Sequence, residues 1–214
     1  DSEISTYKNA VAWLLNRGYW VVRMGHDLWK PFPINHPHFI DYPFQEDKNG
    51  MHEIWLYKNC CLSISTGSGP EAYATIYKKP MLFLNILPTT GFNTAHNCIW
   101  VPKNLSYVKT NKKLTLKQYI EHSYPRSDDY KQNGIKITDL TNKELCMATK
   151  EAVLRLENKW IDTSRSAMLN EQAIQVLKKS PEFIETGAWF NENARFGSDW
   201  LSTHQSSLFE TKKS

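Results

Sequence analysis

Short apolar segments alternate with helix-like segments over the first hundred residues of the chain. Residues 4–17 place apolar side chains at helical spacing, and residues 19–24 form a short β-branched run that is closed by Gly25. Residues 26–38 contain several prolines and histidines and predict a loop, after which residues 38–42 indicate a second strand. The pattern therefore predicts a helix followed by two strands.

The same alternation continues beyond residue 50. Four further elements are expected, in the order helix, strand, helix, strand, over residues 51–58, 61–65, 70–78 and 81–87. Short apolar strands that alternate with helices are typical of a parallel sheet covered on both faces, so we predict an α/β fold with a parallel sheet. Residues 98–101 are expected to form an edge strand that Pro102 ends.

The last third of the chain is predicted to be mainly helical. Thr115 with Gln118, and Thr141 with Glu144, each form a capping-box pattern that predicts the start of a helix. Residues 124–134 are polar and predict a loop. Apolar positions at helical spacing predict further helices over residues 145–160, over residues 169–177 with Pro181 as the stop, and around Trp200 and Leu201.

Composition narrows the class of protein. The chain has 214 residues, of which 41% are hydrophobic and 22% charged, and this excludes a largely disordered chain, a collagen and a coiled coil. The net charge of +4 is mild and spread out, so no nucleic-acid partner is expected and only a weak preference for an anionic ligand follows.

The sequence shows no membrane-spanning segment and no paired-cysteine motif. No window reaches the roughly 18 apolar residues of a membrane span, and the four cysteines form no C-x-x-C pair, which favours a reducing compartment. We therefore expect a cytoplasmic protein, at most peripheral to the inner membrane. The chain opens with Asp1-Ser2-Glu3 rather than Met, and we expect it to be a fragment.

The strongest local signal for chemistry is a glycine-rich turn between a strand and a helix. Residues 63–70 read SISTGSGP, so small side chains surround Thr66, Gly67, Ser68, Gly69 and Pro70. Backbone amides in such a turn can point at a bound anion, and the hydroxyls of Thr66 and Ser68 add two donors. A diphosphate or sugar phosphate is therefore the natural ligand. The alternative is a tight turn that needs glycine for backbone reasons only.

Other candidates lie at strand ends and helix starts. Arg23 ends the first strand and could bind phosphate, or it could be a surface residue paired with an acid such as Asp41. Asp41 or Glu53 could hold sugar or ribose hydroxyls, although the helix dipole alone would favour Glu53 at its position. Trp29 could stack on a sugar or base.

Several familiar sites are not matched by the sequence. The turn is neither a Walker A loop nor a full G-x-G-x-x-G fingerprint, and no G-x-S-x-G elbow occurs. The histidines lack the spacing of metal ligands, so we expect no metal and no cofactor.

Taken together, five segments resemble a family of bacterial glycosyltransferases encoded among surface-polysaccharide genes. The resemblance covers most of the chain, is strongest over residues 1–90 and weak over residues 105–185. The segments, in chain order, are YWVVRMG at 19–25, FIDY at 39–42, ISTGSGP at 64–70, KPMLFLN at 79–85 and ARFGSDWL at 194–201.

The resemblance implies a GT-B architecture, in which two Rossmann-like halves face each other across a cleft. This chain looks like the C-terminal, donor-binding half: a three-layer Rossmann-like domain over residues 1–140, followed by C-terminal helices over 141–214 that pack on the same domain. An upstream acceptor domain is then missing. The implied partners are a UDP- or GDP-sugar donor and a glycan or lipid-linked acceptor.

The resemblance also implies roles for individual residues. Arg23 and the amides of the 66–70 loop would stabilise the leaving diphosphate without a metal, which makes Arg23 the candidate catalytic residue. The candidate substrate-binding residues are Gly25, Asp41, Glu53, Thr66, Gly67, Ser68, Gly69, Pro70 and Asn85. Two alternatives stay open: a nucleotide-sugar epimerase of GT-B-like fold, and a non-catalytic Rossmann-like module for assembly or carbohydrate binding.

Overall fold

The computed structural model describes residues 3–25, 30–67, 69–87, 97–186 and 193–209. Ser68 and Trp29, both singled out from the sequence, lie outside the described residues. The protein is of the mixed α/β class. All four cysteines lie within the described ranges and are free thiols.

In the first half of the chain, the helices and strands occur in the predicted order. The helices are α1 (Lys8–Asn16), α2 (Gly50–Asn59), α3 (Glu71–Ile76), α4 (Leu116–Glu121), α5 (Ser127–Gln132), α6 (Asn142–Leu156), α7 (Ser164–Leu177), α8 (Pro181–Thr186) and α9 (Ser198–Leu208), with short 3-10 helices at Ile4–Tyr7 and Tyr42–Phe44. The strands are β1 (Val21–Arg23), β2 (Phe39–Asp41), β3 (Ser63–Ser65), β4 (Met81–Ile86), β5 (Cys98–Pro102), β6 (Asn104–Tyr107), β7 (Ile135–Thr138) and β8 (Arg195–Phe196).

The main sheet has four parallel strands in the order β3-β4-β5-β8. Every residue of β4 and of β5 is buried, as expected for strands covered on both faces. The predicted edge position of residues 98–101 is wrong, because β8 pairs with β5 and places it inside the sheet. β1 and β2 form a separate parallel pair.

The second half of the chain departs from the prediction at α5, at the pair β6–β7, at α8 and at β8, none of which was predicted. Residues 124–134 were expected to be a loop, but they contain α5, and the antiparallel pair β6–β7 was not expected. Both capping boxes are confirmed: Thr115 with Gln118 starts α4, and Thr141 with Glu144 starts α6. Pro181 occupies the first position of α8 rather than following α7 directly, which suits the missing amide proton of proline.

The core lies where helices α6 and α9 cover the buried strands. Trp100 of β5 packs edge-on against Phe196 of β8, which in turn stacks on Trp200 of α9. Helix α6 contacts α1, α9 and β4. The predicted domain boundary at residue 140 stays a prediction. Within the described residues, no helix combines the length and apolarity that crossing a membrane requires.

Candidate functional site

The glycine-rich turn lies at the carboxyl end of β3, directly before α3. Gly67 has a φ of 78° and Gly69 a φ of 106°, backbone conformations that residues with a Cβ rarely adopt. Thr66 and both glycines are exposed to solvent, so a ligand can reach this turn. Pro70 precedes the helix with a φ of −59°.

Side chains of the turn itself already accept its amide protons. The Gly67 amide donates to Ser65 Oγ at 3.1 Å, and the Gly69 amide donates to Glu71 Oε2 at 2.8 Å. The Ser65 hydroxyl donates to the same Glu71 oxygen at 3.1 Å. The expectation that backbone amides of the turn point at a bound anion is therefore corrected for Gly67 and Gly69, whose amides donate to Ser65 and Glu71.

Glu71 is the residue of this site that the sequence analysis missed. It lies in the first turn of α3, where the partial positive charge of a helix start favours a carboxylate. The signal that could have revealed it is an acidic residue two positions after the second glycine, close enough to fold back on the turn. Its negative charge changes what the site can bind.

Arg23 and Asp41 are brought together at the ends of β1 and β2. The parallel register places them opposite each other, and Arg23 Nη1 lies 3.1 Å from Asp41 Oδ2. The same nitrogen donates to the carbonyl of Lys30, and Asp41 Oδ2 accepts the amide of Phe32 at 2.7 Å. The Arg23 side chain is 11% exposed. Arg23 is therefore paired with an acid, as in the second alternative, and the pair is hydrogen-bonded to the backbone of residues 30 and 32.

Asn85 is a buried structural residue rather than an accessible ligand contact. It has a φ of 54°, at an irregularity of β4, and is 2% exposed. Its Nδ2 donates to the hydroxyl of Tyr7 at 3.0 Å, and its Oδ1 accepts the amide of Leu140 at 2.7 Å. Both ends of the amide are satisfied inside the protein, which corrects the predicted role in substrate binding.

The remaining predicted residues lie at the starts and ends of elements. Gly25 follows β1 with a φ of 142°. Glu53 lies in the first turn of α2, whose N-cap is Asn49, so its position fits the helix-dipole alternative. Contact with a substrate stays a prediction for both residues.

A charge network around the buried Glu151, next to the end of β8, was also missed. Glu151 of α6 accepts both the amide and the hydroxyl of Ser198 at 2.7 Å and also binds Arg155. Arg155 pairs with Asp162, which pairs with Arg195. Burial raises the pKa of the Glu151 carboxyl, although Arg155 and Ser198 partly offset this rise. Glu151 thereby caps the start of α9 from a neighbouring helix.

The predicted residues thus form two groups, the turn over residues 65–71 and the Arg23–Asp41 pair. A crevice of about 570 Å³ lies elsewhere, between α4, α7 and the end of α9, and none of the predicted site residues lines it. Among the described residues, no group of three or more His, Cys, Asp or Glu side chains is placed to hold a metal ion.

Comparisons with family models, with curated proteins and with solved structures find no match.

Proposed function

We propose that the chain binds the diphosphate of a nucleotide sugar at the turn over residues 65–71, as the donor-binding half of a GT-B glycosyltransferase. The observation that carries this proposal is an exposed glycine turn at the carboxyl end of a parallel strand, whose donors hold a carboxylate. Open α/β sheets bind their ligands at the carboxyl ends of strands. A Rossmann-like arrangement belongs to the same proposal.

Glu71 acts as an internal stand-in for the ligand. The donors that hold its carboxylate, the Gly69 amide and the Ser65 hydroxyl, are the groups that would bind a phosphate oxygen. Two negative charges about 4 Å apart repel each other, so Glu71 must turn away when a diphosphate enters. Binding is therefore an exchange of one anion for another.

The chemistry follows from the charge of the leaving group. Transfer breaks the bond between the anomeric carbon and the diphosphate, which gains negative charge as it leaves. Fixed donors of the turn stabilise that charge. Asp41 and the Lys30 carbonyl hold the Arg23 guanidinium, so a role of Arg23 at the diphosphate stays a prediction. The partners are a UDP- or GDP-sugar and a glycan or lipid-linked acceptor.

Calorimetry of the whole chain with UDP and with GDP tests the proposal. The unmodified chain is expected to bind one of them saturably. The substitution Glu71→Ala removes the competing carboxylate and is expected to tighten binding about threefold to tenfold, or roughly 1 kcal/mol. The matched control is Glu46→Ala, which removes the same charge from an exposed residue outside the turn and leaves the affinity unchanged.

Weaker binding in Glu71→Ala would contradict the exchange and assign the carboxylate to ligand hydroxyls instead. Absence of heat with both nucleotides, in the unmodified chain and in Glu71→Ala, would contradict the nucleotide site itself.

A non-catalytic module for assembly or carbohydrate binding is the second candidate. Large apolar side chains are exposed in the segments before the turn: Met51 is 75% exposed, and Trp20 and Trp55 are each 62% exposed. Exposed aromatic residues are common in binding surfaces. A chain that binds no nucleotide but retains a glycan would support this candidate.

A further inference from the structure

Three polar side chains from distant parts of the sequence meet at a site that the proposed function does not use. Lys113 follows β6, Glu144 lies in the first turn of α6, and His204 lies on α9. Lys113 Nζ lies 3.1 Å from His204 Nδ1, and His204 Nε2 lies 2.7 Å from Glu144 Oε1. The lysine, the histidine and the carboxylate are therefore linked in a row.

The carboxylate fixes the orientation of the imidazole. Glu144 Oε2 accepts the amide and the hydroxyl of Thr141 at 2.8 and 2.7 Å, so its other oxygen is held towards His204. The ring nitrogen beside Glu144 donates its proton to the carboxylate, which leaves the lone pair of Nδ1 directed at Lys113. The Trp200 ring lies 5.6 Å from the imidazole, and Asn104 Nδ2 reaches Glu144 Oε1 at 3.5 Å.

Burial alone would raise the pKa of the Glu144 carboxyl, but hydrogen bonds from His204 and Thr141 outweigh it and lower the pKa to about 2. The carboxylate is therefore ionised at neutral pH. His204 is 6% exposed, whereas Lys113 is open to solvent. The imidazole of His204 is therefore shielded from solvent, whereas the amine of Lys113 is accessible to a ligand in solution.

A nucleophile within hydrogen-bond reach of a base that a third group orients is the general arrangement of an activated nucleophile. We propose that Lys113 is a nucleophilic lysine that accepts the acyl group of an acyl phosphate. The segment that joins β6 to Lys113 also carries the exposed Lys109 and Lys112, whose charges attract the phosphate of such a donor.

The step conserves atoms and charge. The Lys113 ammonium gives one proton to His204 Nδ1, which passes it to water. The neutral amine then attacks the carbonyl carbon; the C–N bond forms, the C–O bond to phosphate breaks, and phosphate leaves with the electron pair. The second proton leaves the nitrogen by the same path. The product is an uncharged amide on Lys113.

Acetyl phosphate is the probe, and mass spectrometry with fragment-ion assignment measures initial acetylation at each lysine. Lys112 is the internal control, because it is adjacent and exposed and its described hydrogen bonds are made by its backbone amide and carbonyl. General-base catalysis contributes about 10²-fold or more, and we expect Lys113 to react at least tenfold faster than Lys112.

The variant His204→Gln is expected to reduce the Lys113 rate to that of Lys112, and Glu144→Gln to reduce it partly. A Lys113 rate within twofold of the Lys112 rate in the unmodified chain would overturn the proposal, whether or not the variants fold. An unchanged ratio in a folded His204→Gln variant would do the same.

Discussion

Gly197 controls the packing at the end of β8. A Cβ atom there would lie 2.7 Å from Val101 Cγ2, closer than real Cβ contacts, and near the Glu151 carboxylate that caps α9. Gly197→Ala is therefore expected to destabilise the protein by about 1–3 kcal/mol, as overpacking of cores does. Urea unfolding measures the change.

Gly50→Ala is the matched control, because nothing lies within 4 Å of the added atom and the residue begins α2. Its free energy of unfolding should stay equal or rise slightly. Equal stability of the two variants would show that Val101 does not confine Gly197.

The Asn85 side chain links the hydroxyl of Tyr7 to the backbone amide of Leu140. Asn85→Ala leaves the Leu140 amide and the Tyr7 hydroxyl without this partner. The free energy of unfolding is therefore expected to fall by roughly 2–5 kcal/mol. Tyr7→Phe removes one side of the bridge and should cost less, about 1 kcal/mol. Thermal unfolding of both variants checks the order, and an Asn85→Ala protein as stable as Tyr7→Phe would contradict the bridging role.

At the residue scale, the positions of Arg23 and Asp41 at strand ends were predictable, whereas their pairing was one of two alternatives. The pairing depends on the register between β1 and β2, which a single strand does not encode. The role of Asn85 was similarly hidden, because its partners Tyr7 and Leu140 are far away in sequence. Contacts of this kind cannot be derived from local patterns.

Helix α6 carries a pH-dependent cap. Because the folded pKa of Glu144 is about 2 and its ordinary value 4.5, its contribution to stability is present above pH 4.5 and is lost as the pH falls towards 2. This contribution is of the order of 3 kcal/mol. Glu144→Gln should lose most of it at neutral pH and resemble the unmodified chain near pH 2.

Unfolding curves at several pH values test this expectation. Glu121→Gln is the control, because Glu121 forms an exposed ion pair with Lys117 and its removal should shift the free energy of unfolding by less than about 1 kcal/mol at any pH. A constant difference between Glu144→Gln and the unmodified chain from pH 2 to 7 would contradict the cap.

At the element scale, features set by neighbouring residues were predictable. Both capping boxes and the apolar strand β4 follow from residues close together in the chain. Strands β6 and β7 were missed because each has four residues, of which only Leu105 and Ile135 are buried. The interior place of β5 depends on the two-residue strand β8 far along the chain.

At the scale of the whole molecule, the parallel sheet was predictable and its strand order was not. Alternating apolar strands and helices indicated the α/β class, whereas the order β3-β4-β5-β8 joins segments from both halves of the chain. The candidate site shows the same division. The glycine turn was predictable from the sequence, but the hydrogen bonds of the Gly67 amide to Ser65 and of the Gly69 amide to Glu71 depend on the fold.

The central claim is that a diphosphate replaces the Glu71 carboxylate on the Gly69 amide. Nuclear magnetic resonance of the ¹⁵N-labelled chain during titration with UDP and with GDP tests it most directly. The account predicts that the Gly67 and Gly69 amide signals shift saturably with one nucleotide, while those of Gly18 and Gly134, two other glycines with left-handed backbones, stay in place. Unchanged Gly67 and Gly69 signals at saturating concentrations of both nucleotides would contradict it.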